Sequence, residues 1–197
     1  MATKYYAVRA GRKTGIFLNW DECKKQVAGF SGASYKSFTT KEEAQAFLSV
    51  ETEKNTISED DVIAYVDGSY HIDTKEFSYG MVILQDGKEY CFSKKFEDLE
   101  LATMRNVAGE IMGAKAAMEY ALQHNIKSIA IYHDYEGIAK WCLGEWKTNK
   151  EGTKKYKEFY DSIKDKIKIR FVKVKGHSND KYNDMADRLA KDAIGIR

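Results

Sequence analysis

The sequence predicts a small ββαβα module followed by a larger α/β domain, a five-stranded mixed sheet flanked by helices. Its 197 residues are enough for one small and one medium-sized domain. Apolar residues follow strand and helix periods in turn. Residues 49–60 have no apolar period and separate the two patterns. We therefore divide the chain into a module at 1–48, an acidic linker at 49–60 and a main domain at 61–197.

The front module consists of short strand signals and two helices with capping signals. Asn19 and Thr40 each have a glutamate three residues later, which is the spacing of a capping box at a helix start. Gly29 is expected to end the first helix, and the second is expected to end near Leu48. The predicted strands lie at residues 4–10, 16–18 and 35–38.

The main domain alternates strands and helices after an initial group of strands. Asp86-Gly87 between two strand patterns predicts a hairpin turn. Because helices separate the later strands, the sheet is expected to be mixed, with helices on both faces. The predicted strands are at 62–66, 79–84, 88–96, 128–132 and 167–174, and the predicted helices are at 103–124, 135–146, 153–164 and 183–194.

Composition excludes some classes of protein. No run of 18 apolar residues exists, so we expect no membrane partner. Residues 1–6 lack the apolar segment of a secretory signal. Three cysteines, Cys23, Cys91 and Cys142, lie far apart without metal-ligand spacing, which indicates reduced thiols. We expect a cytoplasmic monomer.

Charge and aromatic residues indicate a binding role for the front module. It carries eight basic and four acidic side chains, whereas residues 49–60 carry one and four, and residues 61–197 carry 23 and 22. Tyr6, Trp20 and Tyr35 are more aromatic surface than so small a core can hide. Rings interleaved with Lys and Arg suit a sugar-phosphate backbone. The alternative, that rings form the small core, is expected for Tyr5 and Phe17.

Two acidic residues close nearly all-apolar strands of the main domain. Asp67 follows the run at residues 62–66, and Asp134 follows the run at residues 128–132. Use as a turn or cap residue is the ordinary alternative for each. Ligands nevertheless gather at such strand ends in open α/β sheets.

Two further acids lie on helices. Glu110 shares a helix face with small residues and would be desolvated there unless it is paired, although a rim position that reaches water is an alternative. Asp187 has alanine neighbours and is expected to face inward. Asp184 has Arg188 four residues later and is expected to form a surface ion pair.

Four acids at one site would repel one another and resist ionisation. Divalent cations remove this repulsion, and carboxylate oxygens suit Mg²⁺ or Mn²⁺. Two such ions about 3.5–4 Å apart hold the attacking and leaving oxygens of a phosphoryl displacement. The four acids therefore predict a two-Mg²⁺ site, with Mn²⁺ as the alternative metal.

In chain order, these motifs resemble type 1 ribonuclease H. The resemblance covers residues 62–195, and each motif falls on the element on which that fold carries it. The motifs are Asp67-Gly68-Ser69 after an apolar strand, Asn106–Glu110 opening a long helix, Asp134 after a strand, and Gly176-His177 followed by Asn183 and Asp187.

The resemblance implies a ribonuclease H-like fold and an endonuclease that hydrolyses the RNA strand of an RNA–DNA hybrid. The products would be a 3′-hydroxyl and a 5′-phosphate, without a covalent intermediate. Asp67 would bridge both metals, while Glu110 and Asp134 would complete the site of the metal facing the leaving group. Asp187 would hold the metal that activates the attacking water, and His177 would assist proton transfer or product release.

Substrate contacts are also implied by the resemblance. Gly68, Ser69 and Asn106 would lie on the minor groove, where the 2′-hydroxyl distinguishes RNA from DNA. Asn183 would support the active site and could also cap its helix. The extra basic helix of the family is absent or much reduced. Either phosphate contact or a solvated helix face would explain the remaining lysines, Lys147, Lys150, Lys154, Lys155 and Lys157.

Residues 4–48 resemble the hybrid-binding domain found ahead of some type 1 ribonucleases H. By that resemblance the Gly29–Gly32 turn would approach the RNA. Ser37 stands where the family usually has a second basic residue, which implies weaker binding. The residues that would face the DNA strand are Tyr6, Trp20, Tyr35 and Lys36.

Two other functions are compatible with the fold. A non-catalytic nucleic-acid-binding protein would be expected to lack at least one of the four acids, and none is replaced. An integrase or a Holliday-junction resolvase of the same superfamily places its acids differently and would leave the front module unexplained.

Overall fold

The chain forms two compact units, Met1–Thr56 and Ile57–Arg197. The structure, a computed structural model, describes residues 4–30, 32–54, 61–175 and 180–196. Within those ranges no helix is long and apolar enough to cross a membrane.

The first unit is a three-stranded antiparallel sheet with a helix packed on each face. The strand order is β2-β1-β3, and both helices contact β1. Val8 of β1 packs with Cys23 and Val27 of the first helix, while its neighbour Ala7 is buried on the opposite face. The elements are β1 (Tyr5–Ala10), β2 (Gly15–Phe17), α1 (Trp20–Val27), β3 (Ser34–Phe38) and α2 (Lys41–Lys54).

Both predicted helix starts in this unit are confirmed. The Asn19 Oδ1 accepts a hydrogen bond from the backbone N–H three residues later at 2.9 Å, and the Thr40 Oγ1 does the same at 3.2 Å. The predicted end of α2 near Leu48 is wrong, because the helix continues to Lys54. No Gly or Pro interrupts residues 49–54, so nothing local ends the helix there. The rest of the expected linker, 55–60, lies outside the described residues.

The second unit contains the predicted five-stranded mixed sheet. The strand order is β6-β5-β4-β7-β8; β4, β5 and β6 pair antiparallel, and β7 is parallel to both β4 and β8. The elements are β4 (Val62–Tyr70), β5 (Phe77–Gln85), β6 (Lys88–Phe96), α3 (Leu99–Ala102), α4 (Asn106–Gln123), β7 (Ser128–His133), α5 (Gly137–Cys142), α6 (Glu151–Ile163), β8 (Lys168–Lys173) and α7 (Lys181–Ala193).

Helices cover both faces of this sheet, as predicted. Val62, Ala64 and Val66 point toward the larger core, to which α4, α5 and α6 contribute. Tyr65, with the opposite orientation, packs with Ala186 of α7. The β5–β6 hairpin turns at Asp86-Gly87, where both residues have positive φ (51° and 71°), as a type I′ turn requires.

Two of the differences from the predicted element boundaries affect the residues of the site. β4 does not end at Val66 but runs to Tyr70, because β5 pairs with it from Ile63 to Tyr70. The predicted helix at 103–124 is interrupted, because Arg105 has φ 55° and ψ −135° and breaks the helical conformation before α4. α4 therefore begins at Asn106, four residues before Glu110.

Candidate active site

Asp67 lies at the point where two neighbouring strands separate. In β4 it pairs with Gly80 of β5, whereas the parallel pairing of β4 with β7 stops at Tyr65. β7 itself continues to His133, and Asp134 is the next residue. The two acids predicted at strand ends, Asp67 and Asp134, thus lie at the same end of the sheet. Asp67 is nevertheless inside its strand and not at its end.

Glycine allows α4 to cross β4 closely. A Cβ atom at residue 68 would lie 2.3 Å from the Asn106 carbonyl oxygen and 2.4 Å from the Glu110 nitrogen. A Cβ at Gly109 would lie 2.0 Å from the Ser78 carbonyl oxygen of β5. All three distances are far below van der Waals contact, so only glycine fits at either position. Gly68 therefore lies against α4 and brings Glu110 next to Asp67.

Three carboxylates form one cluster. Asp67, Glu110 and Asp134 each offer an oxygen, and these oxygens lie within 4.8 Å of one another. Glu110 is only 2% exposed, Asp67 is buried and Asp134 is partly buried. The Gly68 N–H donates to Asp67 Oδ1 at 2.7 Å. Glu110 Oε2 has no hydrogen-bond partner among the described residues.

Burial and mutual repulsion make these acids hard to ionise. Burial raises the pKa of Glu110 to about 9, and the charges of Asp134 and Asp67 act in the same direction. A hydrogen bond from the Tyr135 backbone N–H and the charge of Lys173 partly oppose this rise in the pKa of Glu110. A bound cation would remove the repulsion and accept the free oxygen of Glu110.

Asp67 is affected in the same way. Its pKa is raised to about 7, first by burial and then by the charge of Asp134. The Gly68 N–H lowers this pKa, Asp187 raises it and Lys191 lowers it. The charges of Asp134, Asp187 and Lys191 therefore all change the pKa of Asp67.

Asp187, the fourth predicted acid, lies at the rim of the cluster. It is partly buried on α7, and its Oδ2 forms an ion pair with Lys191 Nζ at 2.7 Å. Its charge raises the pKa of Asp67, so Asp187 lies within electrostatic range of the cluster. Its oxygens are not among those that lie within 4.8 Å of one another. Asp184 is partly buried as well, so burial alone does not separate it from Asp187.

Asn183 is buried on α7, but it does not cap the helix. Asp180 is the N-cap and accepts hydrogen bonds from the backbone N–H groups of Tyr182 and Asn183 at 3.1 and 3.2 Å. The expectation that Asn183 begins its helix is therefore wrong. Its own Oδ1 is buried without a partner among the described residues. His177 and the rest of the preceding loop, 176–179, lie outside the described residues.

The other residues of this unit that were predicted to contact the substrate differ in exposure. Ser69 is buried, whereas Asn106 is exposed at the first position of α4. On α6, Lys154 and Lys155 lie 4.0 and 3.8 Å from Glu151. Lys157 similarly forms an ion pair with Asp161 at 2.5 Å. These pairs within one helix favour the interpretation of a solvated helix face.

Several residues beside the cluster were missed by the sequence analysis. Lys191 pairs with Asp187, four residues apart on one helix, which is a recognisable ion-pair spacing. Tyr135 acts through its backbone N–H, which no side-chain pattern indicates. Its ring lies 5.7 Å from that of Trp141 and 6.2 Å from that of Trp146, so an aromatic group adjoins Asp134. In the sequence, Tyr135, Trp141 and Trp146 follow Asp134 closely, and this spacing could have indicated the aromatic group.

In the front unit the three predicted rings form a continuous row. The ring centroids of Tyr6 and Trp20 are 5.8 Å apart, and those of Trp20 and Tyr35 are 5.7 Å apart. Trp20 is 40% exposed and Tyr35 is 45% exposed. Tyr6 is half-buried and packs against the small core, as does Phe17, so Tyr6 is not a purely surface residue as expected.

Lys36 is close to this row in sequence but points elsewhere. Neighbouring residues of a strand face opposite sides of the sheet, so Lys36 and Tyr35 diverge. The Lys36 ammonium lies 5.7 Å from the centre of the Phe38 ring, and its side chain is exposed at the edge strand β3. A shared contact of Lys36 and Tyr35 with one strand of DNA stays a prediction.

Two family models match the chain. "Ribonuclease H1 N-terminal domain" matches residues 4–48, and "RNase H" matches residues 59–195. Human ribonuclease H1 is 28% identical over 256 aligned residues, covering 95% of this chain and 88% of the human protein. Ribonuclease H of Clostridium botulinum (strain Hall) is 28% identical and covers 68% of this chain and 95% of its own length. Ribonuclease H of Saccharomyces cerevisiae is 57% identical over 44 residues, 22% of this chain and 13% of the yeast protein.

Solved structures share the fold of the second unit. RNase H1 from the halophilic archaeon Halobacterium salinarum NRC-1 superimposes with a TM-score of 0.57 at 21% identity, covering 68% of this chain and 97% of that one. LC11-RNase H1 in complex with RNA/DNA hybrid gives 0.54 at 17% identity, covering 68% and 99%. The RNase H model spans well over half of the sequence. The chain therefore belongs to the ribonuclease H family and is a ribonuclease H enzyme with a ribonuclease H1 N-terminal domain at its front.

Proposed function

We propose that the chain is an endonuclease that hydrolyses the RNA strand of RNA–DNA hybrids at the cluster of Asp67, Glu110 and Asp134, with two divalent ions. One observation carries this proposal. Three carboxylates offer oxygens within 4.8 Å of one another, and Glu110 keeps a buried oxygen without a partner among the described residues. The hybrid bound in the LC11-RNase H1 complex supports the choice of substrate.

The residues present fit a divalent metal. All donors are carboxylate oxygens, the ligands that Mg²⁺ prefers and Mn²⁺ also accepts. Burial and mutual repulsion raise the pKa values of Asp67 and Glu110, and a cation would stabilise their charged forms. Asp67, Glu110 and Asp134 would hold one ion, and Asp67 with Asp187 would hold the second after Asp187 leaves Lys191.

Each residue then has a defined task in the hydrolysis. Bound together, two such ions supply positive charge to the attacking and the leaving oxygen of an in-line displacement. The Gly68 N–H orients the carboxylate of Asp67, and the Tyr135 N–H favours the charged form of Glu110. No side chain needs to act as the nucleophile, because a water molecule attacks the phosphorus. The ribose 3′ oxygen leaves, so the products carry a 3′-hydroxyl and a 5′-phosphate.

Recognition of the hybrid is divided between the units. In the front unit, the row of Tyr6, Trp20 and Tyr35, of which Trp20 and Tyr35 are exposed, suits stacking on a nucleic-acid strand. In the second unit we assign minor-groove contacts to Ser69, buried beside the cluster, and to Asn106, exposed at the start of α4. Further contacts are expected from Gly68, Lys36 and Asn183. His177 is assigned to proton transfer or product release.

Tethering the binding module to the catalytic domain raises the local concentration of substrate without new contacts at the acids. The linker at 49–60 is expected to allow several cuts per encounter; its first residues, 49–54, continue α2. The boundaries 1–48 and 61–197, a cytoplasmic location and a monomeric state stay predictions from the sequence.

Incubation with labelled substrates tests this proposal. The wild-type protein should cut an RNA–DNA hybrid with Mg²⁺ and lose that activity in chelator, while single-stranded and double-stranded RNA stay intact. Asp67→Asn keeps the size of the side chain but removes its charge, and it should bind hybrid without cutting it. Cleavage of all three substrates, or Mg²⁺-independent cleavage, would contradict the proposal. Binding of hybrid without cleavage by the wild-type protein would favour the non-catalytic alternative.

A further inference from the structure

The last residue of β7 departs from the pattern of its strand. Ile129 and Ile131 are fully buried in the larger core, and His133 continues the same row at every second position. It is 1% exposed, less than many apolar side chains. A buried imidazole costs more free energy than an apolar residue unless its hydrogen bonds are made. The position therefore calls for a reason other than core packing.

The hydrogen bond of His133 reaches forward around Asp134. Its Nδ1 lies 2.9 Å from the carbonyl oxygen of Tyr135, two residues later. A carbonyl oxygen only accepts, so Nδ1 carries a proton in this bond. Nε2 is buried without a partner among the described residues, which fits a ring that stays neutral. The main chain of His133 is itself held in the sheet, since its carbonyl accepts from Val174 N–H at 2.9 Å.

The same turn connects two of the clustered acids. In the sequence, Asp134 lies between His133 and Tyr135, so the hydrogen bond from the imidazole to the Tyr135 carbonyl spans Asp134 and restrains its backbone. Asp134 and Glu110 offer oxygens within 4.8 Å of each other, and the Tyr135 N–H lowers the pKa of the Glu110 carboxyl. The turn that His133 holds through the Tyr135 carbonyl therefore carries Asp134 and lies beside Glu110.

We infer that His133 is a positioning residue, whose Nδ1–H fixes the turn at Asp134 and Tyr135 and thereby sets both Asp134 and Glu110 for metal binding. This inference rests on the proposed metal site. Groups that orient metal ligands from behind commonly change metal affinity 10- to 100-fold when removed, roughly the scale expected here. The ring itself is buried, so it is assigned no contact with substrate or ion.

Three substitutions separate the hydrogen bond from the volume of the ring. In His133→Asn the side-chain amide nitrogen replaces Nδ1 and can donate to the Tyr135 carbonyl. His133→Gln places its amide near the position of Nε2, and His133→Leu fills the core without a donor. His124 offers a matched control, because its Nδ1 also lies 2.9 Å from a backbone carbonyl, that of Tyr120, at an exposed site at the end of α4.

Calorimetric titration with Mg²⁺ in the absence of nucleic acid measures the effect directly. His133→Asn and His124→Gln should bind Mg²⁺ within about threefold of the wild-type protein, whereas His133→Gln and His133→Leu should bind about 10-fold more weakly. The order of melting temperatures in chelator should differ from the order of Mg²⁺ affinities. His133→Leu should rank higher in thermal stability than in Mg²⁺ affinity, since leucine suits a buried apolar row. Excess Mg²⁺ should restore most of the cleavage rate of His133→Leu.

Equal loss of Mg²⁺ affinity in the asparagine and leucine variants would overturn the inference, and so would unchanged affinity in both. A wild-type protein that binds no Mg²⁺ would instead overturn the proposed metal site. Nitrogen-15 NMR of the wild-type imidazole gives a test that does not depend on any variant folding. A proton on Nδ1 is expected, and a proton on Nε2 alone would exclude the bond to Tyr135.

Discussion

The two units place their functional groups in opposite environments. In the front unit the row of Tyr6, Trp20 and Tyr35 lies at the surface of a fold with a very small core. In the second unit Asp67 and Glu110 are buried between a central strand and a helix. Exposed rings can bind a ligand without lowering the stability of their unit. Buried charged acids lower the stability of theirs unless a cation is bound.

Because of this difference, affinity for the hybrid and the rate of cleavage should depend on different residues. A change in the aromatic row should alter how tightly the hybrid is held and little else. A change in the acids should alter the reaction and the stability of the metal-free protein together. The following four experiments test that separation, beginning with the largest expected effect.

Asp187→Asn should abolish cleavage, with a loss of at least about 1000-fold, because a metal ligand contributes several kcal/mol to the transition state. Asp184→Asn, three residues earlier on the same helix, should retain most of the activity. Single-turnover rates on a labelled hybrid at saturating Mg²⁺ measure both. Inactivity of Asp184→Asn together with activity of Asp187→Asn would show that the wrong face of α7 was chosen.

Deletion of residues 1–56, the first compact unit, should leave a folded and active nuclease that needs more substrate. The loss of a tethered binder should raise KM on the order of 100-fold, with little change in kcat. Steady-state kinetics on hybrids with circular dichroism as the check of folding make this measurement. An unfolded product would show that the units depend on each other.

Trp20→Ala should weaken hybrid binding by about 1–3 kcal/mol, the value of one aromatic stacking contact. Its single-turnover rate at saturating substrate should equal that of the wild-type protein. Leu18→Ala is the control, since Leu18 is an exposed apolar residue of the same unit outside the aromatic row. Fluorescence anisotropy gives the affinities. A slower chemical step in Trp20→Ala would contradict the division of tasks.

Asp67→Asn should stabilise the metal-free protein at pH 8 by on the order of 1–3 kcal/mol. The pKa of Asp67 is raised to about 7 from 3.8, so its contribution to stability is fully present below pH 3.8 and is lost as pH rises through 7. Asparagine does not ionise and avoids this loss. Urea unfolding in chelator should therefore show a gap at pH 8 that disappears near pH 4.

Addition of Mg²⁺ provides the internal control for that measurement. It should stabilise the wild-type protein at pH 8 and leave Asp67→Asn much less affected, because only the charged site binds the ion well. A gap that is equal at both pH values would mean that the charge of Asp67 is not the cause.

The sequence predicted the elements well where the signals are local. The caps at Asn19 and Thr40 and the Asp86-Gly87 turn are each confirmed because they depend on neighbouring residues. The four acids could be selected because an acid at the end of an apolar strand, or among alanines on a helix, conflicts with its surroundings. The structure places Asp67, Glu110 and Asp134 together, with Asp187 at the rim.

Prediction failed where distant contacts override local preference. Asp67-Gly68 resembles a turn, yet pairing with β5 keeps it extended to Tyr70. Arg105 takes a positive φ that its own sequence does not indicate, and this separates α3 from α4. The cap of α7 is Asp180 and not Asn183, although both residue types cap well. Backbone interactions such as that of Tyr135 with Glu110 leave no trace in residue types.

The position of Asp67 within β4 has a consequence for heat inactivation. Its strand is paired with β5 and packed by α4 on one face and α7 on the other. Central strands of this kind exchange their amide hydrogens only when the whole cooperative unit opens. Catalytic competence should therefore persist up to the global melting of the second unit, whether or not the first unit is still folded.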